Sequence, residues 1–120
     1  DHTGIPNVAL IKEDEEIAKK YNNKSVAEQN SIDIAWGMLM GDEYKHLRKA
    51  LCATEDEEIR FRQLVVNSVM ATDIVDKELG ALRKKRWEKA FNKEGNDYFD
   101  DEARDEVNRK ATIVIEHLIQ

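Results

Sequence analysis

Proline is nearly absent from this chain: Pro6 is the only one in 120 residues, so beyond the first few positions no residue locks φ or removes a backbone donor. Glycine is thin as well, at Gly4, Gly37, Gly41, Gly80 and Gly95. No β-branched run alternates with polar residues over strand length, and no period of about 20–50 residues repeats, which argues against sheets and solenoids. An all-α multi-helix bundle is the expected fold. Cys52 is the single cysteine. It excludes an intrachain disulfide and any multi-cysteine zinc or iron–sulfur site, and a reducing, cytoplasmic setting is the simplest one. No apolar run approaches the ~20 residues of a membrane helix, and no signal-peptide pattern opens the chain. Since the first residue is Asp1 rather than Met, the sequence reads as a piece of something longer, and the missing signal says little about location.

Charge, by contrast, is plentiful. Acidic residues number 25 against 19 basic ones, giving a net charge of -6 and a charged fraction of 37%, well above the average of about 25%. Leu, Ile, Val and Phe together supply 29 residues, enough for one thin core. One domain at most is expected.

Two capping-box patterns mark helix starts, Ser25-Val26-Ala27-Glu28 and Thr54-Glu55-Asp56-Glu57. The first helix should run to about Met40 and stop at Gly41. The second should run to about Thr72 with Ile59, Phe61, Val65, Val66, Val69 and Met70 in a stripe wide enough for a central helix packed on several others. A third is expected from about Asp73 to Lys93, ended by Gly95-Asn96. A fourth begins near Asp101, where Ala103, Val107, Ala111, Val114 and Leu118 make a clean apolar face. Such a face expects a partner from outside the chain. Shorter helical turns are expected over 7–21 and 42–51.

Polar residues in an order that a surface does not need occur at Asp1-His2-Thr3-Gly4-Ile5-Pro6-Asn7. This segment resembles the second half of the H-D-x-x-H-x-x-x-x-N signature of the class I 3',5'-cyclic-nucleotide phosphodiesterases, with His2 as the second histidine, Gly4 at a small-residue position and Asn7 as the closing asparagine. Tyr21-Asn22-Asn23-Lys24-Ser25-Val26-Ala27-Glu28 is similar to the family's Y-N-D-x-S-V-L-E, and Met70-Ala71-Thr72-Asp73 to its L-A-T-D. Three ordered segments over some 70 residues are more specific than any one of them. The resemblance implies a compact helical catalytic domain, of which this chain is an internal fragment. It also implies hydrolysis of cyclic AMP or cyclic GMP to the 5'-monophosphate with two divalent metals, zinc and magnesium or manganese, and a histidine general acid.

The same resemblance implies that no metal is bound directly within this chain. The family's first metal-binding histidine, its general-acid histidine and the leading His-Asp pair are expected upstream of residue 1, and its last metal-binding aspartate beyond Gln120. The isolated chain is therefore expected to be inactive, to bind no metal tightly, and to have the remaining helices of the parent domain as partners. His2, Glu28 and Thr72 are the positions expected to line the water network around the metals, whereas Gly4, Asn7 and Asp73 serve as motif or structural residues.

Each has a plainer alternative. His2 alone is a terminal, solvated imidazole; Glu28 completes a capping box; Thr72 and Asp73 form a helix junction whose polar side chain caps the next helix. Asn7 holds the turn after Pro6 or caps a helix. Where the family often carries a histidine pair, this chain has Gln29, Asn30 and Ser31.

The block Arg83-Lys84-Lys85-Arg86, with Lys89 and Lys93, reads as the solvated side of an amphipathic helix rather than a nucleic-acid or membrane contact. Asp97, Asp100, Asp101 and Glu102 lack EF-hand spacing and read as a polar loop and a helix start. His46 and His117 have no partner at ligand spacing, and Cys52 reads as an inert buried thiol. The rival function is a non-catalytic helical module that binds protein partners.

Overall fold

The structure, a computed structural model, describes residues 4–91 and 101–119, the side chains of 101–104 excepted. His2, the Gly95-Asn96 helix stop and Asp97 and Asp100 lie outside the described residues. Every regular element among those described is helical: α1 (Asn7–Glu13), α2 (Glu15–Lys20), α3 (Val26–Leu39), α4 (Lys45–Leu51), α5 (Glu55–Ala71), α6 (Lys77–Phe91) and α7 (Asp101–Ile119), with a 3-10 turn at Asp42–Tyr44 before α4. The all-α expectation holds. The chain divides into two compact units, 1–70 and 71–120.

In the first unit α1, α2 and α3 pack on one another, and the core is the small set Ala18, Tyr21, Val26, Ala27 and Ile32, with Val26 fully enclosed. Complete burial of an aliphatic chain such as Val26 stabilises the unit by about 1.5–3 kcal/mol. Asp14 separates α1 from α2 and accepts the Ile17 N–H with its carboxylate at 3.1 Å, capping α2. The α3 end is held by a residue that local sequence signals do not flag: Arg48 donates through one nitrogen to the carbonyls of Leu39 at 2.6 Å and Gly41 at 2.7 Å. The Leu39 carbonyl is one that a helix C-terminus leaves open, and the Gly41 carbonyl also accepts the Tyr44 N–H at 3.1 Å.

The Thr54 capping box forms as its spacing dictates. Glu57 N–H donates to Thr54 Oγ1 at 3.3 Å, while Glu57 Oε2 accepts from Thr54 N–H at 3.1 Å and from Ala53 N–H at 2.7 Å. The Ser25 box does not form. Ser25 is the residue before α3 but adopts a left-handed backbone at φ 39°, ψ 49°, and its side chain makes no capping hydrogen bond. Nor is α5 the central helix within this chain: Ile59 is 53% and Leu64 38% exposed. Its ring contact to α3 is Phe61 against Trp36 at 6.1 Å, with Arg62 over the same indole at 5.6 Å. The breadth of its apolar stripe calls for neighbours, and periodicity does not reveal whether they belong to the same chain.

In the second unit the helix expected from Asp73 starts at Lys77. Asp73 folds the chain into a turn first, its Oδ1 accepting from Val75 and Asp76 N–H at 3.1 and 3.2 Å. Asp76 Oδ1 then takes Glu78 and Leu79 N–H at 2.8 and 3.1 Å. The Asp73 turn delays the helix, and Asp76, whose carbonyl also accepts the Gly80 N–H at 3.0 Å, then caps its first turn. α6 and α7 pack through Trp87 against His117, ring centroids 4.5 Å apart, and through Arg86, whose Nη1 lies 3.0 Å from Glu116 Oε2. Ile113 and Glu116 are buried, whereas Val107, Val114 and Leu118 are exposed. The apolar face of α7 is thus left open.

Candidate functional site

The residues brought together from two of the three sequence segments are Asn7, at the start of α1, and Glu28, in the first turn of α3. Asn7 Nδ2 donates to Glu28 Oε2 at 2.8 Å, and Asn7 Oδ1 accepts the Ala27 N–H at 2.9 Å. Ala27 is the second residue of α3, so Asn7 supplies across 20 residues of sequence the cap that Ser25 withholds. Glu28 is half-buried. Of the two roles open to it, the capping-box one is displaced, because its carboxylate is engaged by Asn7.

The turn that delivers α3 explains why this stretch has the composition it does. Asn22, Asn23 and Ser25 all have positive φ, at 54°, 59° and 39°. Asparagine tolerates the left-handed region better than most side chains. Asn23 N–H closes the end of α2 on Ala18 O at 2.8 Å, and Gln29 Nε2 donates to Lys24 O at 2.6 Å. A non-glycine backbone held in this region is the kind of strain that gathers at functional sites. Gly4 also has a positive φ, 76°, which gives its small-residue position a backbone reason.

Beside the turn lies a polar cluster that sequence reasoning missed. The buried Tyr21 donates its hydroxyl to Asp33 Oδ2 at 2.8 Å and lies 3.4 Å from Asn30 Oδ1. Lys20 bridges to the same Asp33 oxygen at 2.9 Å and sits over the Tyr21 ring at 4.7 Å. The hydrogen bond from Lys20, then that from Tyr21, holds the Asp33 carboxyl below its ordinary value, and Tyr21 and Asp33 together raise Lys20. A tyrosine and an aspartate 12 positions apart across a turn give no local signal. Gln29 and Asn30, which depart from the family pattern, are thereby tied to the turn and to Tyr21.

Thr72 and Asp73 belong to the second unit. Thr72 is exposed, and Asp73 is 5% exposed. Its carboxylate makes the turn described above, and its carbonyl accepts from Arg83 Nη2 at 3.2 Å. Asp73 thus shapes the turn before α6, but the cap on that helix, expected from Thr72 or Asp73, is made by Asp76. Arg83 and Arg86 of the basic block are both engaged inside the unit, the latter with Glu116, whereas Lys84, Lys85 and Lys89 are exposed. His46 is exposed, and half-buried His117 places Nδ1 3.0 Å from Ile113 O. Cys52 is half-buried rather than buried; desolvation, with Glu58 and Glu57 nearby, raises its thiol.

Among the described residues no group of three or more His, Cys, Asp and Glu side chains is placed to hold a metal ion. No helix among the described residues is long and apolar enough to cross a membrane.

Comparison with known proteins gives one family. The family model described as 3'5'-cyclic nucleotide phosphodiesterase matches residues 1–120. The chain is 32% identical over 74 residues to a probable 3',5'-cyclic-AMP phosphodiesterase of Caenorhabditis elegans, covering 62% of this chain and 10% of that protein. It is 35% identical over 74 residues to the bovine dual specificity calcium/calmodulin-dependent 3',5'-cyclic nucleotide phosphodiesterase 1B, covering 62% and 13%. A mouse 3',5'-cyclic-AMP phosphodiesterase 4C is 30% identical over 74 residues, covering 62% and 10%. The matched stretch spans about a tenth of the length of these relatives.

Proposed function

Because the chain belongs to the 3',5'-cyclic nucleotide phosphodiesterase family, we propose that it is an internal part of a catalytic domain that hydrolyses 3',5'-cyclic nucleotides to 5'-monophosphates. The observation that carries this reading is the joining of two separate family-like segments through Asn7 and Glu28. His2, Glu28 and Thr72 are proposed to line the water network of the active site. Opening the ring requires a nucleophilic water beside an anionic phosphodiester and a proton for the departing 3' oxygen. A carboxylate fixed in one orientation can hold such a water by accepting its hydrogen bond.

The zinc and magnesium or manganese ions implied by the resemblance are proposed to be held by parts of the parent protein outside this chain. The substrate is taken to be cyclic AMP, cyclic GMP or both, since the mouse relative named above is a 3',5'-cyclic-AMP phosphodiesterase and the bovine one has dual specificity. Exposed Val107, Val114 and Leu118 on α7, with Ile59 on α5, are proposed to pack on the remaining helices of the parent, as large exposed apolar faces generally do. Neither nucleic acid nor a membrane surface is a proposed partner of this segment, and the proposed setting is the cytoplasm.

The test is turnover of cyclic AMP and cyclic GMP by the full-length protein, with magnesium or manganese added and with chelator. Residues 1–120 alone serve as the control. Metal-dependent turnover by the whole and none by the piece is the expected result. A folded whole that is inactive in all conditions refutes the reading in favour of a binding module.

A further inference from the structure

We propose that Asn7 is a positioning residue, whose side-chain amide fixes the Glu28 carboxylate for the reaction while capping α3; this role rests on the hydrolase reading above. The amide has two faces, and both are used across a long sequence separation. Its oxygen accepts from Ala27 N–H at 2.9 Å, and its nitrogen donates to Glu28 Oε2 at 2.8 Å. This assignment of oxygen and nitrogen is forced by the partners, since a backbone N–H needs an acceptor and an unprotonated carboxylate needs a donor.

The arrangement has a consequence for Glu28. A glutamate side chain loses much rotamer freedom when fixed, so a half-buried carboxylate in the first turn of a helix is not held in one orientation without a partner. Hydrogen bonds to an ionised acceptor are about twice as strong as neutral ones. The donor here is itself anchored, because its other end is tied to the helix that carries Glu28. Amide, helix end and carboxylate form one closed unit in which Glu28 cannot turn without breaking a bond. Of the ordinary side chains short enough for the site, aspartate retains only the acceptor function and alanine neither.

That difference separates the two roles of Asn7. Asn7→Asp keeps an acceptor for Ala27 N–H but sets a second carboxylate against Glu28, whereas Asn7→Ala removes cap and donor together. In the full-length protein, Asn7→Asp is expected to lower kcat by about 10- to 100-fold, the usual cost of losing a group that orients an active-site ligand or water, with KM little changed. Its activity relative to wild type should rise as pH falls, because a proton shared between facing carboxylates restores the missing hydrogen bond. Adding Glu28→Gln to Asn7→Asp lets the introduced amide donate to the introduced carboxylate. This should raise the unfolding midpoint above that of Asn7→Asp without restoring kcat.

Wild-type kcat in Asn7→Asp across the pH range overturns the proposal, as does recovery of kcat in the double variant. A folded wild-type protein that turns over neither cyclic nucleotide refutes the hydrolase reading itself, and the positioning role with it.

Discussion

Removing the Arg86 guanidinium should leave one of the most buried charges in the chain uncompensated. Glu116 is 2% exposed, and its Oε2 takes a single hydrogen bond from Arg86 Nη1 at 3.0 Å. Its Oε1 is buried with no hydrogen-bond partner among the described residues. Breaking a buried pair by deleting one partner costs roughly 3–5 kcal/mol. Since the Arg86 side chain is 43% exposed, water screens part of the attraction, and the lower end, about 3 kcal/mol, applies to Arg86→Met. With an m value of about 1.5 kcal/mol/M, that moves the urea midpoint down by roughly 2 M. Adding Glu116→Leu should recover most of the loss, because exchanging both partners for apolar groups of similar volume is often neutral or stabilising. The assay is urea unfolding followed by far-ultraviolet circular dichroism for wild type, both single variants and the double variant. A midpoint for Arg86→Met within about 0.3 M of wild type, equivalent to under ~0.5 kcal/mol at that m value, refutes the reasoning. So does a double variant less stable than either single one.

Thr54→Ala removes the hydroxyl that caps Glu57 N–H and should cost about 1 kcal/mol, measured as a fall in thermal midpoint; an unchanged midpoint counts against the cap. Asp33 has a lowered folded pKa, so its contribution is present above its ordinary value of 3.8 and is lost as pH falls through the folded value. Asp33→Asn should therefore flatten the decline of thermal stability on acidification below about pH 4, and a decline as steep as wild type refutes this. Cys52, its thiol raised by desolvation and by Glu58 and Glu57, should react with iodoacetamide more slowly than glutathione at the same pH. Glu58→Gln should speed the reaction, and equal rates in all three would contradict the assignment.

How much could be read in advance depended on whether the controlling partner was local. The Thr54–Glu57 box and the α7 stripe are written in neighbours three or four residues apart, and each took shape accordingly. The Ser25 box has the same spacing as the Thr54 box and failed, because the left-handed backbone at Ser25 turns it out of capping geometry and Asn7 fills the place from 20 residues upstream of Ala27. Nothing in the Ser25 segment records that Asn7 will arrive. The α6 start was displaced because Asp73 first folds the chain into a turn and Asp76, three residues on, supplies the cap, which a pattern of apolar residues does not register.

The candidate site divides in the same way. Glu28 and Asn7 were each singled out by the segments they belong to, but their contact is a tertiary fact. Tyr21 and Asn30 were named only for matching or departing from a motif and Asp33 not at all, and their contact was missed, since a tyrosine with a distant aspartate has no spacing rule. Where the structure leaves Val107, Val114 and Leu118 exposed, the sequence had already pointed to a partner outside the chain, because a stripe of that regularity is hard to explain as surface.

The most direct test of the central claim is the identity of the product. The full-length protein, incubated with cyclic AMP and separately with cyclic GMP in oxygen-18 water and followed by phosphorus NMR, should convert at least one of them to the 5'-monophosphate with a single oxygen-18 on phosphorus. Release of the 3'-monophosphate, or an intact cyclic nucleotide after incubation with folded protein and divalent metal, would contradict the account.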